Sequence, residues 1–187
     1  MRLVVAITGA SGVIYGKRLL EVLQDKKVET HLIVSKAAEK VIEHELEICK
    51  EGIEKLAVHS YDVDNLSAPM VSGSFKTDAM VIIPCSMKTL AGIAHGYSDN
   101  LTLRTADVTL KEKRKLILVP RETPLNVVHL HNMLELAKQG VTIIPAMPAY
   151  YHKPKNIENV IDYVVGKVLD CLGIEHALFK RWLGSSF

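Results

Sequence analysis

A doubly wound α/β fold, with a mostly parallel sheet and helices on both faces, is predicted by three features of the sequence. Apolar runs recur at 3–7, 30–34, 78–83, 115–119 and 141–146, as expected of parallel strands covered on both sides. Stretches with apolar residues at helical spacing separate them, and turns rich in small residues or proline join the two kinds of element. The length of 187 residues, 48% hydrophobic and 24% charged, suits one domain with a full core and argues against disorder.

The first strand runs into Gly9-Ala10-Ser11-Gly12 and then a helix carrying Val13, Leu19, Leu20, Val22 and Leu23. Such a turn lets backbone approach an anion, the helix start aims free N–H groups at it, and Ser11 adds a hydroxyl. A glycine turn here also serves packing alone. The second strand ends in Ser35-Lys36, where a dinucleotide site places an acidic residue for the ribose. Gly9, Gly12 and Gly16 also miss the dinucleotide spacing, and Tyr15 stands where an extended dehydrogenase pattern needs glycine, so NAD binding is disfavoured. Ser35 caps the helix expected at 36–48 or contacts a ligand. Residues 51–77, with Ser67, Pro69, Ser72, Gly73 and Ser74, read as a long loop.

The strand at 78–83 turns through Pro84-Cys85-Ser86-Met87-Lys88-Thr89 into a helix at 90–95. This is a second strand-to-helix anion site, with a cation from Lys88 and hydroxyls from Ser86 and Thr89; a plain cap at Ser86 competes with it. In the helix expected at 100–112, Arg104 and Lys111 are seven apart and share a face. The strand at 115–119 ends in Pro120-Arg121-Glu122-Thr123-Pro124, stiffened by two prolines at the sheet edge where open α/β folds bind ligands. A helix at 126–139 is closed by Gly140, and the last strand leads to a loop with Tyr150 and Tyr151. Ile157, Val160, Ile161, Val164, Val165, Val168, Leu169 and Leu172 form a helical core stripe from which Lys167 stands apart. The tail from about 173 carries Phe179, Trp182 and Phe187, which suits packing on a neighbour or over the core.

Charge is balanced, 23 basic against 21 acidic residues, and no basic block suggests nucleic acid or membrane as a partner. The N-terminus has no signal-peptide pattern and no apolar run is long enough to span a bilayer, so a cytoplasmic protein is expected. Cys49, Cys85 and Cys171 are far apart and lack ligand spacing, which supports neither a disulfide framework nor a zinc site.

Five motifs in order, Thr8-Gly9-Ala10-Ser11-Gly12, the run from Pro84 to Ala94, Leu103-Arg104-Thr105-Ala106-Asp107, Pro120-Arg121-Glu122-Thr123-Pro124-Leu125 and Pro148-Ala149-Tyr150-Tyr151, resemble the UbiX/Pad1 flavin prenyltransferase family across nearly the whole chain. The resemblance implies a Rossmann-like flavoprotein fold and a metal-independent enzyme that binds FMN. Such an enzyme moves a dimethylallyl group from dimethylallyl phosphate to N5 and C6 of the reduced flavin. The product, prenylated FMN, is the cofactor of UbiD-type decarboxylases. It also implies a homo-oligomer, usually a dodecamer, with sites at subunit junctions.

By the same resemblance, Gly9, Ala10, Ser11, Ser35, Ser86, Met87, Lys88, Thr89, Arg104 and Arg121 contact the flavin. Lys111, Arg121, Glu122, Tyr151 and Lys167 hold the prenyl phosphate. Many members carry arginine at the position of Lys167, which keeps the charge without the bidentate fork. Catalytic roles fall to Ser11 at the reacting edge, Glu122 as proton donor, Trp182 near the prenyl group and Glu45, whose counterpart is placed toward a neighbouring subunit. Glu122 as an arginine-orienting partner and Glu45 as a solvated helix residue are the competing readings. Two rival functions stand beside this one. A flavin-dependent cysteine decarboxylase of the same superfamily would carry asparagine where this chain has Lys88. A non-catalytic FMN carrier would need the flavin turn but not Lys111, Glu122, Tyr151 and Lys167.

Overall fold

A computed structural model describes residues 1–184; Phe187 of the expected aromatic tail lies outside the described residues. In chain order the elements are β1 (Arg2–Ile7), α1 (Val13–Asp25), β2 (Glu29–Val34), α2 (Lys36–Leu46), α3 (Lys50–Glu54), β3 (His59–Asp62), β4 (Ala79–Cys85), α4 (Met87–Ala94), α5 (Leu101–Lys111), β5 (Lys115–Pro120), α6 (Val127–Lys138), β6 (Thr142–Ile143) and α7 (Ile157–Leu172). A short 3₁₀ turn, Pro69–Val71, precedes β4.

The six strands form one sheet in the order β3-β2-β1-β4-β5-β6, and every pairing is parallel. The order reverses between β1 and β4, the switch point at which open α/β sheets leave a crevice. Leu3 to Ile7 are wholly buried and alternate between the two faces. Leu3, Val5 and Ile7 meet α1, α2, α3 and α7, whereas Val4 and Ala6 meet α4, α5 and α6. This two-sided burial explains why the strands read as apolar runs.

Four expectations change in detail. The helix expected at 36–48 ends at Leu46, because Glu47 adopts the left-handed conformation at φ 54 and breaks the turn. The long loop at 51–77 contains most of α3 and the edge strand β3, whose four residues are mostly solvent-facing and carry no apolar run. The last strand, expected at 141–146, keeps only Thr142 and Ile143 in the ladder at the opposite edge. The helix expected at 90–95 starts earlier, at Met87, because Ser86 caps it.

Glycines set two close approaches. A Cβ on Gly16 would lie 2.5 Å from the Ile83 carbonyl oxygen, so α1 packs tightly on β4. A Cβ on Gly9 would lie 2.5 Å from Cβ of Ala37, which brings the first turn against the start of α2. No helix among the described residues is long and apolar enough to cross a membrane.

Candidate active site

At the carboxyl edge of the sheet, one buried side chain joins the β1 and β4 loops, and a backbone bond adds that of β2. Thr8 Oγ1 donates to the Pro84 carbonyl at 2.8 Å and accepts from the Ser86 N–H at 2.8 Å. The Thr8 N–H also donates to Pro84, at 3.2 Å, and the Ser35 N–H donates to the Ile7 carbonyl at 3.0 Å. The switch point is thereby a fixed crevice.

Three helices begin at that crevice. Ser35 caps α2 by accepting from the Ala38 N–H at 3.2 Å, Ser86 caps α4 by accepting from Thr89 N–H at 3.3 Å, and Asn100 caps α5 by accepting from Leu103 N–H at 3.1 Å. All three caps line a single cavity of about 330 Å³, together with Gly9, Lys36, Asp64, Lys88, Thr89 and Thr102. Helix starts carry partial positive charge and spare N–H groups, so their convergence with Lys36 and Lys88 makes an anion site. Lys36 is ion-paired with Asp64, whose hydrogen bond holds the ammonium above its ordinary range. Thr102 is 2% exposed and its Oγ1 has no partner among the described residues, which leaves an unspent donor in the wall. Helix starts for a phosphate, hydroxyls for a polar ring edge and an apolar floor at Val63 and Leu103 fit a flavin mononucleotide.

The start of α1 differs from the other three. Its Gly12 and Val13 N–H groups donate to the Glu45 carboxylate at 2.9 and 3.3 Å, so the chain supplies the anion at this helix itself. Gly12 holds φ 97 there and brings no side-chain cap of its own. Glu45, reaching from α2, therefore secures the turn that carries Gly9, Ala10 and Ser11 within the same chain. Arg121 lies against that turn as well, its Nε donating to the Ser11 carbonyl at 3.2 Å.

The proposed flavin contacts thus divide. Gly9, Ser35, Ser86, Lys88 and Thr89 line the cavity; Met87, the first residue of α4, and Ala10, Ser11 and Arg121 are outside its lining. Arg104 is ion-paired to Asp107 at 2.7 Å, one helical turn along α5. Of the residues expected to hold the prenyl phosphate, Tyr151 alone joins a second cavity, about 380 Å³, with Trp182, His152, Lys153, Lys180 and Arg181. Tyr151 and Trp182 meet edge to face at 5.8 Å. Lys167 lies close behind that cavity, 3.7 Å from Asp170, which also accepts from Arg181 at 2.6 Å. The Arg181 hydrogen bond holds the Asp170 carboxyl below its ordinary value, burial opposing.

Glu122 is exposed, and its carboxylate accepts from the Thr123 N–H at 3.0 Å within its own loop. Lys111, at the far end of α5, is ion-paired to Glu112 at 2.6 Å and borders a third cavity between α4 and α5, which shares Leu103 with the cavity of the helix starts and no residue with that of Tyr151.

Sequence reasoning missed several contributors. Asp64 and Val63 follow the unrecognised strand β3, and Asn100 was visible only as a helix start. His152 stacks on Tyr163 at 5.3 Å, and neither of its buried ring nitrogens has a partner among the described residues.

Comparison with known proteins places the chain among flavoproteins. A family model described as Flavoprotein matches residues 1–173. The flavin prenyltransferase UbiX of Methanocaldococcus jannaschii is 56% identical over 182 residues, covering 97% of this chain and 98% of that protein. The crystal structure of AnUbiX (PadA1) in complex with FMN and dimethylallyl pyrophosphate superposes with a TM-score of 0.97 at 46% identity, covering 99% of this chain and 98% of that one. A dodecameric FMN-dependent UbiX-like decarboxylase from Escherichia coli O157:H7 gives 0.96 at 49% identity, covering 98% and 100%. The FMN-dependent cysteine decarboxylase SpaF, at 0.63 and 20% identity over 78% of this chain and 83% of that one, shares the fold alone.

Proposed function

Since the chain belongs to the UbiX/Pad1 family of flavin prenyltransferases, we propose that it transfers a dimethylallyl group from dimethylallyl phosphate to N5 and C6 of reduced FMN. The observation that carries this reading is a pair of separate cavities in the one chain. One joins three helix starts around a cavity that fits FMN, and the other joins an aromatic pair to several cations. FMN, when bound, supplies the nucleophilic atoms.

The chain's residues do the rest. Ser35, Ser86, Lys88 and Thr89, with the helix starts, bind and orient the flavin nucleotide, and Gly9 admits it close to the backbone. Arg121 steadies the Ser11 turn beside it. Breaking the allylic C–O bond sends the electron pair to phosphate and leaves positive charge on the prenyl group. Cations near Tyr151, with Lys167 behind them, stabilise the departing phosphate. The faces of Tyr151 and Trp182 attract the allylic cation, by about 1 to 2 kcal/mol for a desolvated ring. Glu122 delivers a proton to the phosphate oxygen, which makes a monophosphate a better leaving group.

Lys111 and Glu122 do not meet Tyr151 within one chain, so the complete site forms between copies. A homo-oligomer, a dodecamer by likeness to the Escherichia coli protein, supplies those junctions. The α6 surface suits such contacts, since Val127, Val128, Leu130 and Leu134 are all exposed. The product goes to a UbiD-type decarboxylase, and the whole chain acts as one cytoplasmic FMN-binding domain with its aromatic tail over the prenyl site.

Anaerobic incubation with reduced FMN and dimethylallyl phosphate, or the diphosphate in parallel, tests the reading. Mass spectrometry should show a flavin heavier by one dimethylallyl unit. A flavin unchanged in mass with both donors would overturn it.

A further inference from the structure

At the opposite, amino edge of the sheet, β2 and β3 bring together three side chains that the flavin chemistry does not use. His31 and His59 stand opposite each other in register, with ring centroids 4.7 Å apart. Glu29 lies two residues before His31, on the same face of β2, and its Oε1 is 3.1 Å from His31 Nε2. One ligand atom from each of the three lies within 4.8 Å of the others. We propose that Glu29, His31 and His59 bind one late first-row divalent metal ion, of the zinc type, and that this ion pins the edge strand β3 to the sheet.

The donor set favours that class of ion. Two imidazoles and one carboxylate suit zinc, nickel or copper, whereas magnesium and calcium prefer all-oxygen sites. Three protein ligands leave a further position to water, and the exposed His59 gives the ion a path from solvent.

The surroundings supply a second layer. Tyr61 Oη lies 3.0 Å from His31 Nδ1, so the ring can donate Nδ1–H to the hydroxyl and turn the Nε2 lone pair toward the ion. Arg2 Nε donates to Glu29 Oε1 at 2.6 Å and orients the carboxylate, which has lone pairs for both partners. Burial disfavours the charged form of His31, with the Glu29 hydrogen bond opposing. Without an ion the group closes on itself: His31 donates Nε2–H to Glu29 and accepts from Tyr61. Metal binding moves the ring proton from Nε2 to Nδ1 through solvent, and the ring's charge stays zero.

The consequence reaches the flavin cavity through the chain. β3 ends at Asp62, and the next two residues, Val63 and Asp64, line that cavity. An ion that fixes β3 steadies this wall without entering the chemistry.

The test titrates Zn²⁺, with Mg²⁺ as the contrasting probe, into chelator-treated full-length protein by calorimetry, and follows the melting temperature. The expected result is one Zn²⁺ per chain, no Mg²⁺ binding, and a melting temperature that rises with free Zn²⁺. His59→Ala, a surface change, should weaken Zn²⁺ at least tenfold and abolish the thermal shift, and Glu29→Gln should weaken it as well. His44→Ala, on the exposed side of α2, should change neither. Absence of Zn²⁺ binding, or binding indifferent to both His59→Ala and Glu29→Gln, as capture by the exposed Cys49 would give, would overturn the proposal.

Discussion

Thr8 shows how much one short side chain does at this site. It is 1% exposed, and its hydroxyl joins the ends of β1 and β4 by donating to Pro84 and accepting from Ser86. Thr8→Val keeps the shape and removes both bonds, leaving the Ser86 N–H without its acceptor while the Thr8 N–H still reaches Pro84. The expected cost is about 1 to 3 kcal/mol, read as a lower denaturation midpoint with unchanged slope, accompanied by weaker FMN binding. An unaltered midpoint would show that water replaces the hydroxyl at no cost. Glu122 stands at the other extreme, exposed and bonded only within its loop. If it delivers the proton, Glu122→Gln should slow single-turnover adduct formation by about 100-fold or more while FMN is retained. A rate equal to the parent's would leave Glu122 a loop residue.

Helices and loops divide the anion chemistry among themselves. α2, α4 and α5 point their capped starts into one cavity, whereas α1, whose glycine turn looks most like a phosphate cradle, is capped by Glu45. The tail is a separate element tied down by Asp170, which binds Arg181 and His176. Its folded value is lowered, so the stabilisation is present above the ordinary carboxylate value of 3.8 and is lost as pH falls through the folded value. Trp182, the sole tryptophan, reports on this docking through its contact with Tyr151. Its fluorescence should stay constant from neutral pH down to that ordinary value and change below it; Asp170→Asn should produce the changed spectrum at neutral pH. A transition near pH 6 in the parent protein would assign tail docking to a different group.

Across the whole molecule, Lys111, Glu122 and Tyr151, proposed to hold the prenyl phosphate, are not brought together within one chain. Lys111 faces a cavity of its own, and α6 exposes Val127 at 81% and Val128 at 62%, which a free monomer would leave to water. Val127→Glu combined with Leu134→Glu should therefore give a smaller species by light scattering, with prenyl transfer reduced at least tenfold. Full activity in a dispersed monomer would show that one chain holds the complete site.

The sequence by itself determined the architecture wherever burial is two-sided, since β1, β2, β4 and β5 have no solvent face and must read as apolar runs. It also offered Ser35 and Ser86 as caps, because a cap is a local bond between residues three apart, although it began the helix after Ser86 at Leu90 rather than Met87. Of the edge strands, β3 escaped it because it is polar and exposed, whereas β6 was legible at 141–146 although only Thr142 and Ile143 pair in the ladder. Only the tertiary structure decided which helix starts share a cavity. Ser35, Ser86 and Asn100 are far apart in sequence and meet because the strand order reverses between β1 and β4. The same holds for Glu45 at α1 and for His59 against His31, contacts set by packing between distant segments and by strand register.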